Sequence, residues 1–416
     1  MTHPAPIDTS AINTILSDLD STREAREDLY KQFHREPELS LQEESTAQRI
    51  ADQLEDAGIE FTRVGNTGIV AVIENGEGPV VAMRGDIDAL PMKEDSGKDY
   101  ASTHTQVDKD SGEETPVAHS CGHDFHIMSL LTSLKFYNAH KDAWSGTYVG
   151  VFQPAEEIAA GAKDMLNNGI AEVMPTPDVY LGQHVLSSQP GGTVGTRPGP
   201  VFSAASSIRI EITGKGSHGS MPEKSVDPVV TAANVIVRLQ QIVSRSIAPA
   251  ASAVVTVGSV QSGTKSNIIP ATATLLVNTR TYDEDVQKTV HEEIENVVRK
   301  ECEMAHCPKE PSFEYYDIYP LTGNDADATE AVHAAFDEHF GEDSLVIDPL
   351  PASEDFSYIP DELGVPYVYW GLGGFADMDS APANHNPGFA PDLQPTLDRG
   401  AEAAVVAAGA WLATSK

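Results

Sequence analysis

The sequence predicts an α/β protein: a mostly parallel sheet in one domain, with a ferredoxin-like α+β domain inserted into it. Three observations carry this expectation. Strand-length apolar runs alternate with helix-length amphipathic stretches through the first half, the pattern of a parallel sheet covered on both faces. A strand–helix–strand–strand–helix–strand order follows, as in an antiparallel sheet with two helices on one face. An α/β rhythm then returns, and 416 residues are more than one core comfortably holds.

Taken in order, the apolar periodicity predicts helices over 12–33 and 42–57 ahead of strands at 68–73 and 80–83. A helix at 127–139, a strand at 148–152, a helix at 155–167 and a strand at 179–181 complete the first half. Between 187 and 201, Gln-Pro-Gly-Gly and Arg-Pro-Gly-Pro mark a crossover. The inserted rhythm is strand 207–213, helix 227–244, strands 253–260 and 271–278, helix 284–305 and strand 313–318. A helix at 327–339, a strand at 366–370 and a buried, alanine-rich terminal helix close the chain. The expected division is 1–194 with 316–416 for the larger domain and 195–315 for the insert.

Composition excludes several functions. The formal charge is −36, from 27 basic and 63 acidic residues, which repels nucleic acid and anionic membranes alike. Three cysteines without framework spacing indicate a reducing compartment, with Cys302 and Cys307 as packing residues. The opening Met-Thr-His-Pro-Ala-Pro-Ile-Asp has no basic region followed by an apolar run, and no tract is long enough to span a bilayer. The expectation is a soluble, cytoplasmic protein.

Chemistry concentrates at His119-Ser-Cys-Gly-His-Asp-Phe-His126, where a thiol and three imidazoles crowd one turn. Cys121 and His123 flank a single glycine, so two metal ligands can converge without a Cβ between them. A lone Cys-x-His would be a polar loop. Here the chain adds Gln153-Pro-Ala-Glu-Glu157, His184 and His385, a full donor set for a pair of divalent metals. Adjacent Glu156 and Glu157 on a helix point about 100° apart, so one can bind metal while the other faces substrate as a base. Arg84-Gly-Asp86-Ile-Asp88 ends another strand, with its carboxylates able to ligate metal or to orient a ligand imidazole. In the insert, Gly214-x-Gly216-x-x-Gly219 mimics a dinucleotide fingerprint. The antiparallel setting, and the lack of an acidic strand end about twenty residues on, reject that reading. His218 on that loop is instead a candidate oxyanion donor, and Asn267 and Arg280 are candidate substrate-carboxylate contacts.

His34-Arg-Glu-Pro-Glu38, Arg84–Pro91, His119–Asp124, Gln153–Glu157, Gly216-Ser-His-Gly219, Asn267-Ile-Ile-Pro270 and Ser353-Glu-Asp-Phe356 occur in this order along nearly the whole chain. Together they resemble the dinuclear metal amidohydrolase/peptidase family of bacterial aminoacylases, hippurate hydrolases and plant auxin-conjugate hydrolases. The resemblance implies a catalytic domain with an inserted lid and dimerisation domain. It implies Cys121, His123, Glu157, His184 and His385 as metal ligands, Cys121 bridging as thiolate, Glu156 as general base, and Asp88 behind a ligand. It also implies a homodimer in which the lid histidine, here His218, reaches the partner's site. Phe125 stands where a small residue is common, and Asn278 replaces a glycine. Val277-Asn-Thr-Arg280 and Ala383-Asn-His385 look similar to aminoacylases acting on N-acyl-glutamine.

The function so implied is hydrolysis of N-acyl-L-amino acids by a metal-activated water. Two divalent ions are expected per subunit, zinc first, with manganese, cobalt or nickel as alternatives. A metallo-carboxypeptidase or dipeptidase is the rival.

Overall fold

The computed structural model describes residues 6–109 and 111–414; residues 1–5, the start of the segment read for a leader, lie outside the described residues. Its two larger sheets are built from β1 (Glu60–Val64), β2 (Gly68–Asn75), β3 (Val80–Asp86), β4 (Gly146–Gln153), β5 (Val179–Pro190), β6 (Val194–Thr196), β7 (Ala204–Thr213), β8 (Ala253–Gln261), β9 (Thr272–Thr281), β10 (Ser312–Tyr319), β11 (Ser344–Val346) and β12 (Tyr367–Phe375). The chain divides into two compact units: 1–201 with 323–348 and 355–416, and 202–322 with 349–354. The first crossing lies seven residues beyond the expected 195. The reason is pairing: Val194–Thr196 runs parallel to Ser344–Val346 and pairs with Gly371 and Leu372, which ties it to the larger unit.

In the larger unit the strand order is β1-β2-β4-β3-β5-β12-β6-β11. The centre, β4-β3-β5-β12, is parallel, and β1 and β2 add antiparallel strands at one side. Central strands are apolar on both faces, as burial by helices on each side requires; β12 is buried along its whole length. Helix His123–Ala139 and the terminal helix Leu393–Leu412 are buried nearly all round, and Tyr137 Oη donates to Val405 O at 2.8 Å where they meet. The expected helix over 12–33 is broken. Thr9–Ile15 and Arg23–Arg35 are separate helices, because Ser21 and Thr22 hydroxyls donate to Asp18 O and cap the intervening turn. Among the described residues, no helix is long and apolar enough to cross a membrane.

The smaller unit has strand order β8-β9-β7-β10, all antiparallel, the ferredoxin-like arrangement. Ile208, Ile210 and Ile212 alternate onto one face and pack with Val235 and Leu239 of helix Pro228–Gln241 and with Val290, Ile294 and Val298 of helix Glu284–Met304. Both helices therefore cover the same face.

Candidate metal centre

The parallel strands end where the chemistry begins, as open α/β sheets dictate. Asp86 closes β3 opposite Gln153 of β4, and His184 lies on β5 beside Gly371 of β12. Cys121 precedes helix His123–Ala139 in a turn whose Gly122 has φ 84°, and a Cβ there would sit 2.2 Å from Val185 Cγ1. Only glycine lets the thiol and the first helical histidine converge there.

His123 shows what the site is shaped for. Its Nδ1 lies 3.0 Å from Asp88 O and 3.1 Å from Asp88 Oδ1, two acceptors, so it carries a proton and the ring is fixed. Its buried Nε2 has no hydrogen-bond partner. It stands instead 3.7 Å from Asp86 Oδ2, 3.8 Å from Glu156 Oε2 and 3.7 Å from Glu157 Oε1. Burial opposes protonation of this imidazole, but Asp86, Asp88 and Glu157 outweigh it and push it up to about 10. An imidazole that converging carboxylates hold protonated on Nε2 is one where a divalent cation can take that proton's place.

Two overlapping sets of donors meet at the thiol. Cys121, His123 and His184 offer ligand atoms within 4.8 Å of one another, and so do Cys121, Glu157 and His385. His184 donates from Nδ1 to Val185 O at 2.8 Å, which turns Nε2 toward Cys121 Sγ at 3.5 Å. His385 Nε2 is 3.2 Å from Glu157 Oε2. Burial, and then Glu157, Glu156 and Asp86, push the Cys121 thiol well above its ordinary range, so it becomes a ligand when a cation takes the place of its proton. Asn384 Nδ2 reaches Val185 O at 3.2 Å and lies 3.8 Å from Cys121 Sγ, beside the thiol.

His126 makes a similar donor group with Asp86 and His123, yet both its nitrogens are engaged. Val185 N–H donates to Nε2 at 2.9 Å, and Nδ1 donates to Asp86 Oδ1 at 2.5 Å. It is a brace. Phe125 is buried in the core against Tyr30.

The helix expected over 155–167 starts only at Gly161. Residues 155–160 are a turn, with Ala155 at φ 50°. Two buried carboxylates hold it: Glu43 Oε1 accepts from Ala155 N at 2.9 Å, and Asp88 Oδ2 accepts from Glu157 N at 3.1 Å. Asp88 also accepts from Ser40 Oγ at 2.6 Å. It thus orients His123 and Glu157 together, behind the donors. Glu43 was not anticipated. Its signal is spatial, since it lies more than a hundred residues from the turn it fixes.

His218, Asn267 and Arg280 lie in the smaller unit. His218 and Asn267 are exposed neighbours on a ribbon where Ser217–His218 pairs with Ile268–Ile269, and Gly219 N–H donates to Asn267 O. The glycines of the false fingerprint serve this packing: Cβ atoms on Gly214, Gly216 and Gly219 would meet backbone oxygens at 2.3, 2.9 and 3.0 Å. The ribbon continues from the Thr213/Thr272 end of β7 and β9, whereas Arg280 is at the other end, paired with Ala205 and bonded to Ser353 Oγ at 2.8 Å. Eight residues of strand, roughly 26 Å, separate Thr272 from Arg280. Arg280 and the ribbon that carries Asn267 thus lie toward opposite ends of the β7–β9 pairing.

Peptidase family M20/M25/M40 matches residues 82–408. N-acetylcysteine deacetylase of Bacillus subtilis is 33% identical over 365 residues, covering 87% of this chain and 90% of the relative. Thermostable carboxypeptidase 2 of Saccharolobus solfataricus is 34% identical over 350 residues, covering 82% and 84%. A crystal structure from Bacillus subtilis, described as a dinuclear metal-binding peptidase of the M20 family, superposes with a TM-score of 0.76 at 28% identity, covering 93% of this chain and 98% of that one.

Proposed function

The chain belongs to peptidase family M20/M25/M40, and on that premise we propose that it hydrolyses the amide bond of N-acyl-L-amino acids at a centre of two divalent metal ions. The observation that carries this reading is the Cys121 thiol shared by two donor sets, with His123 Nε2 open toward the carboxylates. His123 and His184 would hold one ion, Glu157 and His385 the other, and Cys121 both. A thiolate with imidazoles and carboxylates favours zinc; manganese, cobalt and nickel are the alternatives the donors admit. When bound, such ions lower the pKa of a water from 15.7 toward about 7 and polarise the substrate carbonyl.

The chain supplies the proton path. Glu157 is anchored through its N–H to Asp88 and belongs to the Cys121 set, whereas Glu156 does not. Glu156 groups with His123 and Glu157 but not with the thiol, and in this reading it is the general base: it takes the proton of the attacking water and returns it to the departing amine. Arg280 holds the substrate carboxylate. The opposed placement of Arg280 and the His218–Asn267 ribbon supports a homodimer through the inserted unit, in which His218 of the partner subunit stabilises the oxyanion.

The deacetylase relative favours acyl amino acids, and Val277-Asn-Thr-Arg280 with Ala383-Asn-His385 narrows the proposal to N-acyl-glutamine. The carboxypeptidase relative keeps a peptide-cleaving reading in play. Turnover of N-acyl-glutamine, other N-acyl amino acids and dipeptides by metal-reconstituted protein, with metal content measured alongside, separates them. Acyl amino acids should lead. Dipeptides turned over a hundredfold faster would move the protein to the peptidase side.

A further inference from the structure

Helix Glu284–Met304 ends at Ala305, and His306 follows in the left-handed region at φ 56°. His306 N–H donates to Glu303 O at 3.1 Å, and Cys307 N–H donates to Cys302 O at 2.9 Å. These are the two bonds of a Schellman turn. That turn brings the third helical residue from the end beside the second residue beyond the cap, ordinarily for an apolar contact. Here both positions are cysteines. Cys302 is buried in the core of the unit, while half-buried Cys307 packs against it, and both thiols are free. Their side chains interact: burial first, and then Cys307 itself, push the Cys302 thiol up to about 12. The 6→1 bond ties the two backbones directly. Disulfides need that proximity, since Cα atoms more than about 7 Å apart are not bridged without backbone movement.

We propose that Cys302 and Cys307 form an oxidisable pair that closes an intrachain disulfide in the folded protein, with a low-molecular-weight disulfide such as oxidised glutathione as oxidant. The more exposed Cys307 attacks as thiolate; the glutathione S–S bond breaks, and one glutathione leaves as thiolate. Cys302 then gives up its proton, and its sulfur attacks Cys307 in the mixed disulfide and expels the second glutathione. Two protein thiols lose two electrons and two protons, and one oxidised glutathione becomes two reduced ones. The raised pKa makes Cys302 the resolving partner rather than the attacker.

To test this, the native full-length chain is incubated with oxidised glutathione, blocked with N-ethylmaleimide, unfolded, and cut with a glutamate-specific protease. Cleavage after Glu303 puts the two cysteines on separate peptides. The expected product is a linked pair, two hydrogens lighter than the sum of its parts, that separates on reduction. In Cys302→Ser, or Cys302→Ala where serine disturbs the core, Cys307 should instead keep a lasting glutathione adduct. The proposal is overturned if the unaltered chain keeps that same adduct, if both thiols are recovered as maleimide derivatives, or if the linked pair forms only after unfolding.

Discussion

His34 and His123 are both buried imidazoles set among carboxylates, and their neighbours touch: Asp124, the partner of His34, is the next residue after His123. Around His34 every ring nitrogen is used, Nδ1 with Asp124 Oδ2 at 2.6 Å and Nε2 with Glu94 Oε1 at 3.1 Å. Around His123 only Nδ1 is used, and three further carboxylate oxygens stand at 3.7–3.8 Å from a nitrogen without a hydrogen bond. The first arrangement is complete in itself and holds helix Arg23–Arg35 to helix His123–Ala139. The second is completed by a cation. Residue type does not separate the two clusters; the unmade hydrogen bond does.

The sharpest break between them is made at Glu156. Glu156→Gln keeps the volume and leaves Asp88, His123 and Glu157 in place, so the protein should fold and load metal normally. Removing the base should lower kcat by about 10²–10⁴-fold. Stopped turnover with unchanged metal content and thermal midpoint fits the assignment, and near-normal turnover would sink it.

Next comes the closed cluster, which should report on stability and not on turnover. Burial disfavours the His34 cation, but Asp124 and Glu94 outweigh this and raise it to about 9. A group raised in the folded state contributes its full stabilisation below its unfolded pKa near 6.5, and loses it as pH climbs through about 9. The loss should approach roughly 3 kcal/mol. Glu43, raised to about 8 by burial and by Asp88, also loses stabilisation as pH rises, from its lower starting point through about 8. Urea unfolding from pH 6 to 9.5 of the unaltered chain and of His34→Gln separates the two: the difference between them should shrink through this window. A constant difference would mean that His34 is not held charged.

Much of this was legible in sequence because the signals were local. Cys121-Gly-His123 opens a helix and Glu156-Glu157 follows the end of β4, and strand–helix alternation fixes which end of the sheet they reach. The ferredoxin-like order of the insert was equally plain, because Ile208, Ile210 and Ile212 alternate across a single buried face. What stayed hidden depended on distant chain. The turn at 155–160 reads as a helix start until Glu43 and Asp88 are seen to claim its N–H groups. The bracing role of His126 is likewise set by distant chain, since Val185 N–H occupies its Nε2. The opposed placement of Arg280 and of the ribbon that carries Asn267 is equally invisible in chain spacing.

A smaller effect is expected where the open cluster is merely supported. Asp88→Asn keeps an acceptor for His123 Nδ1 but removes the charge behind two ligands. Such changes typically weaken metal affinity about 10–100-fold. Metal titration of this variant against Glu94→Gln, its counterpart beside His34, tests the division of labour. Asp88→Asn should lose affinity, whereas Glu94→Gln should lose stability and keep its metal. Equal loss of affinity in both would merge the two clusters into one.

The smallest effect is expected at Glu43, even though it is fully buried beside the site. Its Oε1 accepts from both Leu41 N and Ala155 N at 2.9 Å, and Thr67 Oγ1 lies 2.7 Å from Oε2. With its pKa at about 8, the group is mostly neutral at pH 7, and a glutamine of the same shape can keep every one of these contacts. Glu43→Gln should hold kcat within about threefold, because what the turn needs is an acceptor and not a charge. Glu43→Ala leaves two buried N–H groups unsatisfied and frees Ala155, so it should lose both stability and turnover. If glutamine proves as damaging as alanine, the charge at Glu43 belongs to the open cluster around His123, and the boundary drawn at Asp88 moves outward by one residue.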